Sequence, residues 1–121
     1  MAEVVTPCMP SNLCPVSIDH PGVVNAIEVA TEYFNSKSSD SFYSMVWNVL
    51  SAEKQVVAGF LYYLTLELKT TVCKKSSVSR NCPFQEDPQY TKTMTCKFQV
   101  LEHPWIGPTQ VTKSSCSRTA N

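Results

Sequence analysis

Gln55-Val56-Val57-Ala58-Gly59 reads as a short apolar turn that interrupts a strand-like run. After it, Phe60 to Val72 alternates cleanly. Phe60, Tyr62, Leu64, Leu66 and Leu68 fall on one face; Tyr63, Thr65, Glu67 and Lys69 fall on the other. A face that apolar needs a cover. Before the turn, Phe42 to Ser51 is rich in aromatic and β-branched residues and also reads as a strand. Further back, Val23, Ile27, Ala30 and Phe34 recur at helical spacing and form the stripe that should pack on the sheet. Asp19 offers an N-cap, with Pro21 in the first turn where a missing N–H costs nothing. The polar run from Asn35 to Asp40 should end the helix in a loop.

Downstream, residues 74–90 are polar, carry two prolines and Cys82, and read as a long loop. Thr91 to Leu101 alternates again, with Met94, Cys96, Phe98 and Val100 facing inward. Residues 102–108 contain Pro104, Gly107 and Pro108 and turn the chain, so Thr109 to Cys116 can return as the last strand. One long helix packed across a four- to five-stranded antiparallel sheet makes an α+β domain. The expected organisation is an N-terminal arm at 1–18, the domain at 19–116 and a flexible tail at 117–121.

A chain of 121 residues points to a single domain. Ten basic and ten acidic residues balance without a block of like charge, which disfavours a nucleic-acid partner. No apolar run approaches the ~20 residues of a membrane span. The six cysteines form no C-x-x-C, and only His20 and His103 could complete a metal site. Neither a metal nor a cofactor is expected, and an even set of cysteines reads as disulfides formed in an oxidising compartment. Residues 1–15 lack the apolar core of a signal peptide, so the sequence is expected to be a mature form with an added Met1. It contains no N-x-S/T glycosylation triplet.

Trp105 sits between Pro104 and Pro108 in the second turn. Taken singly, the apolar turn reads as simple packing and the Pro-Trp pair as a covered local cluster. Both features at loop tips, with cysteines between them, suggest a surface buried against another protein rather than a catalytic pocket. A cysteine nucleophile working with His20 or His103 is disfavoured, because paired cysteines cannot serve as one. His103 itself reads as an ordinary surface histidine.

The order and spacing of Gln55-Val56-Val57-Ala58-Gly59, Thr70-Thr71-Val72-Cys73, Asn81-Cys82-Pro83-Phe84, Cys96, Pro104-Trp105 and Cys116 resemble the type 2 cystatins, secreted inhibitors of papain-like cysteine proteases. The resemblance covers about residues 19–116. It implies the bridges Cys73–Cys82 and Cys96–Cys116; a hairpin turning near residue 105 independently brings 96 and 116 side by side. It implies a wedge that plugs the protease cleft, built from the arm at Met9, Pro10 and Ser11, the first loop at Gln55, Val56, Val57, Ala58 and Gly59, and the second at Pro104 and Trp105. Cathepsin-type proteases would be the partners. The protein would be a secreted monomer, endolysosomal after uptake, that can form disulfide-linked or domain-swapped dimers. The swap would start in the tight turn at β-branched Val57.

Two departures stand out. Inhibitory cystatins usually carry an arm glycine after two apolar residues. Here the equivalent position is near Ser11, bracketed by Cys8 and Cys14. Those two cysteines either close a small local loop or cross-link two chains. In addition, Ser39 precedes Asp40 where legumain-inhibiting members place an Asn, so no legumain inhibition is expected.

Overall fold

The computed structural model describes residues 8–9, 11–78 and 81–119. Among these residues, five strands form one antiparallel sheet in the order β1-β2-β3-β4-β5. They are β1 (Cys14–Pro15), β2 (Phe42–Val57), β3 (Gly59–Lys74), β4 (Thr93–Glu102) and β5 (Gln110–Arg118). One helix, α1 (Pro21–Lys37), lies across them, and a short 3-10 turn at Lys75–Ser77 follows β3.

The alternation of β3 builds the core. Tyr62, Leu64, Leu66 and Leu68 are fully buried beneath Val23, Ala26 and Ala30 of the helix, with Cys96, Phe98 and Val100 beside them on β4. Ile27 and Phe34 pack at the margin of this cluster. Burying each large aliphatic side chain contributes about 1.5–3 kcal/mol. The helix approaches so closely at its first turn that a Cβ on Gly22 would overlap the Tyr62 hydroxyl.

The helix begins one residue later than the expected Asp19 cap. His20 is the N-cap, and its Nδ1 accepts a hydrogen bond from the Gly22 N–H at 3.0 Å. Pro21 is the cause: a residue preceding proline is held extended, as His20 is at φ −61 and ψ 129, so the helix cannot start before it. At the other end Asn35 belongs to the helix rather than to a loop, and Ser38 is the C-cap, its N–H donating to Phe34 O at 2.9 Å.

The expected turn at 55–59 is tighter than its sequence suggests. β2 continues past Ser51 to Val57, and Gln55, Val56 and Val57 pair with Leu61, Phe60 and Gly59. Only Ala58 lies outside the ladder. Gly59, at φ 136, takes the backbone conformation that a side chain would oppose. Val57 is in strand geometry, and among the described residues no non-glycine has positive φ, so no backbone strain resides at Val57.

The last strand also outruns its expected end. Ser117 pairs with Thr95 and Arg118 with Met94, and Thr119 N–H donates to Thr93 O at 2.9 Å. The expected tail at 117–121 is therefore sheet through Arg118, because β4 offers a ladder partner that far. Residues 120–121 lie outside the described residues, as do 1–7 of the arm.

All six cysteines are paired: Cys73–Cys82, Cys96–Cys116 and Cys8–Cys14. Cys96 and Cys116 are direct partners in the β4–β5 ladder. The alternatives for the arm cysteines resolve to a local bridge.

Candidate functional site

Three segments converge at one end of the sheet. β2 and β3 meet at Ala58, while β4 ends at Glu102, which pairs with Phe60 beside that tip. Antiparallel order therefore places the turn between β4 and β5 next to the turn between β2 and β3. β1 pairs with β2 through Cys14↔Lys54 and Pro15↔Glu53, so the residues before Cys14 run toward the same tip.

The arm is held there by a specific contact. Gln55 Nε2 donates to Ser11 O at 2.9 Å, and Tyr63 OH donates to Gln55 Oε1 at 3.5 Å. The Cys8–Cys14 bridge bends the arm back on itself, and the Asn12 N–H closes the turn on Met9 O at 2.8 Å. Met9 stands outward at 60% exposure. Pro10, the remaining arm residue named from sequence, lies outside the described residues.

In the first hairpin, Val56 and Val57 are exposed and Gly59 is buried. Gly59 is required twice over. Besides its φ, a Cβ there would overlap the His103 ring and stand 2.6 Å from Glu102 O. The second hairpin turn is closed by His103 O, which accepts from Ile106 N–H at 3.0 Å and Gly107 N–H at 3.1 Å. Pro104 and Trp105 project from it, Trp105 at 67% exposure.

Three residues of this end escaped the sequence reading. Ile106 is as bare as Trp105, at 69% exposure, and Leu13 is exposed beside the arm bridge. An aliphatic residue inside a Pro-Trp-Ile-Gly-Pro turn was the available signal for Ile106. His103 is the third, since it lies against Gly59 and stacks on Trp105 with ring centroids 5.9 Å apart and planes at 26°. The contact with Gly59 joins residues distant in sequence, and no local pattern announces it.

The electrostatics around the tips are mild. Lys54 Nζ lies 4.3 Å from the centroid of the Phe60 ring, a cation–π contact that helps pin the hairpin base. Burial raises the phenol of Tyr62 above its usual range, and the negative charge of Glu102 adds to this. His20 is committed to capping α1, and every cysteine is bridged, so no thiol is available as a nucleophile. Among the described residues no group of three or more His, Cys, Asp or Glu is placed to hold a metal. The arrangement is a group of exposed apolar side chains on two adjoining hairpin tips and the arm, the kind of surface that marks an interaction site.

A family model described as the cystatin domain matches residues 12–105. Cystatin-2 of Crotalus adamanteus is 39% identical over 102 residues, covering 84% of this chain and 75% of that protein. Cystatin-C of Rattus norvegicus is 41% identical over 96 residues, covering 78% of this chain and 69% of that protein. Among solved structures, dimeric human cystatin F aligns with a TM-score of 0.82 at 26% identity, covering 98% of this chain and 96% of that one.

Proposed function

Because this chain belongs to the cystatin family, whose members inhibit cysteine proteases and are not enzymes, we propose that it is a reversible, tight-binding inhibitor of papain-like, cathepsin-type proteases. The bridges Cys73–Cys82 and Cys96–Cys116 fit the type 2 branch. The observation that carries the proposal is the shared end of the sheet. There Val56, Val57, Trp105 and Ile106 stand exposed on two adjoining hairpin tips, with Met9 and Leu13 on the tethered arm. These three elements plug the active-site cleft. An inhibitor of this kind offers no bond in cleavable register.

A second reading is a cystatin-fold binding protein with weak or lost inhibition. It is favoured by the arm, which has no glycine and is folded back by Cys8–Cys14. An arm so bent cannot lie extended along a cleft, so affinity rests mainly on the two hairpins. Moderate inhibition follows, with Kd between ~1 nM and ~1 μM, or about −12 to −8 kcal/mol. Titration against papain and a cathepsin tests this. Enzymes left untouched at about 10 μM inhibitor, roughly −7 kcal/mol, would give the function to the second reading.

The proposed setting is extracellular, with endolysosomal proteases met after uptake. Three disulfides suit an oxidising compartment, and among the described residues no helix is long and apolar enough to cross a membrane. The proposed resting state is a monomer, because the arm cysteines pair within the chain. A domain-swapped dimer would arise by opening the hairpin at Ala58 and exchanging α1 with β2.

A further inference from the structure

We propose that His103 is a positioning residue that braces the second hairpin turn against the first and sets the direction in which Trp105 projects. This rests on the inhibitor reading above. One side of the imidazole lies against Gly59, in the space that a Cβ at that position would need. The ring also stacks on Trp105, at 5.9 Å between centroids and 26° between planes. The carbonyl of the same residue closes the turn by accepting from Ile106 and Gly107. One residue therefore touches the first tip, holds the second turn closed and backs its most prominent side chain.

The physical need is plain. Trp105 is two-thirds exposed, and His103 supplies its only aromatic ring contact among the described residues. A bare indole on a loop samples several rotamers, and a partner that needs one of them meets a reduced effective concentration of the competent form. A flat ring stacked beneath the indole narrows that distribution before any partner arrives. The missing side chain at Gly59 makes room for the imidazole. Gly59 and His103 thus act as a pair, one vacating the space the other fills.

The test uses the full chain in a Trp47→Phe background. The protein has two tryptophans, and Trp47 lies away from the tips, 5.2 Å from Phe84 between ring centroids, so Trp105 becomes the sole reporter. His103→Ala should lower the fluorescence anisotropy of Trp105 in the free protein and increase its quenching by acrylamide. It should also weaken papain inhibition about five- to tenfold, mainly through slower association. His103→Phe keeps a stackable ring and should restore both readouts to within about twofold. A thermal melt of each variant separates this from general destabilisation, which His103→Phe would have no reason to rescue selectively. Unchanged anisotropy in His103→Ala overturns the proposal, even if inhibition falls. Changed anisotropy with full inhibition overturns the claim that the direction of Trp105 matters for binding. If the parent protein does not inhibit papain, the inhibitor reading fails by itself, and the anisotropy series still decides whether His103 orients Trp105.

Discussion

Asn35 and Ser44 hydrogen-bond to each other twice. Asn35 Nδ2 donates to Ser44 O at 2.9 Å, and the Ser44 N–H donates to Asn35 Oδ1 at 2.8 Å. Both residues are buried, and Asn35 Nδ2 also donates to Thr31 O at 2.9 Å. Ser44 pairs with Thr70 of β3 on its other side, so the amide of a helical residue takes the place of a strand on the open side of β2. Asn35→Ala would leave a buried N–H and a buried C=O without partners, at a cost of about 2–4 kcal/mol. Urea unfolding should show the midpoint falling with the slope unchanged. A loss under ~0.5 kcal/mol would mean that the clip is ornamental.

Trp105→Ala removes the largest exposed side chain of the candidate wedge. Papain binding should weaken by ~2 kcal/mol or more, about thirtyfold, chiefly through faster dissociation. Ile106→Ala should cost less, about 1 kcal/mol. Stopped-flow kinetics would separate the two rates. Full affinity in Trp105→Ala, together with its loss on deleting residues 1–10, would move the binding site to the arm.

The three disulfides differ in access. Both ends of Cys8–Cys14 reach solvent, whereas each of the other two bridges has one buried end, Cys82 or Cys96. Thiolate attack needs a path to sulfur, so mild thiol treatment should open Cys8–Cys14 first. Timed alkylation and peptide mapping would reveal the order. Early labelling of Cys96 would contradict it.

Tyr43 donates to Glu32 Oε1 at 2.7 Å. Burial first, and then the hydrogen bond and charge of Glu32, raise the phenol well above its usual value of 10.0. The folded state holds this proton more tightly than the unfolded state does. The resulting stability is fully present below about pH 10 and is lost as pH rises beyond it. The melting temperature should therefore fall above pH 10, and Tyr43→Phe should flatten part of that fall. Tyr62, shifted in the same direction, should keep some of the slope in the variant. An identical alkaline profile in Tyr43→Phe would assign the effect elsewhere.

The periodic elements were legible because period reports burial directly. Leu64, Leu66 and Leu68 point where their alternation puts them, and Val23 and Ala30 face the sheet as their helical spacing requires. The misreadings fall where a non-local partner decides. Asn35 looks like a loop residue until Ser44 lies beside it. Ser117 and Arg118 look like a tail until Thr95 and Met94 pair with them. The helix start is a local exception: Pro21 holds His20 extended, and this outweighs the capping preference of the acidic Asp19 beside it. At the candidate site, Val56, Val57 and Trp105 were readable as apolar residues in turns. His103 was not, since its meaning depends on two hairpins being neighbours.

The one-residue joint at Ala58 also bears on how the chain folds. β2 and β3, each 16 residues long, are the longest pair of adjacent strands, and closing so short a loop carries little entropic cost. Pairing is expected to nucleate at the tip and zip toward Phe42 and Lys74, with α1 docking afterwards. Substitutions at Gly59 should then slow folding, while those at Asn35 should mainly hasten unfolding. The end of the molecule proposed to enter the protease cleft would be the first part of the sheet to take shape.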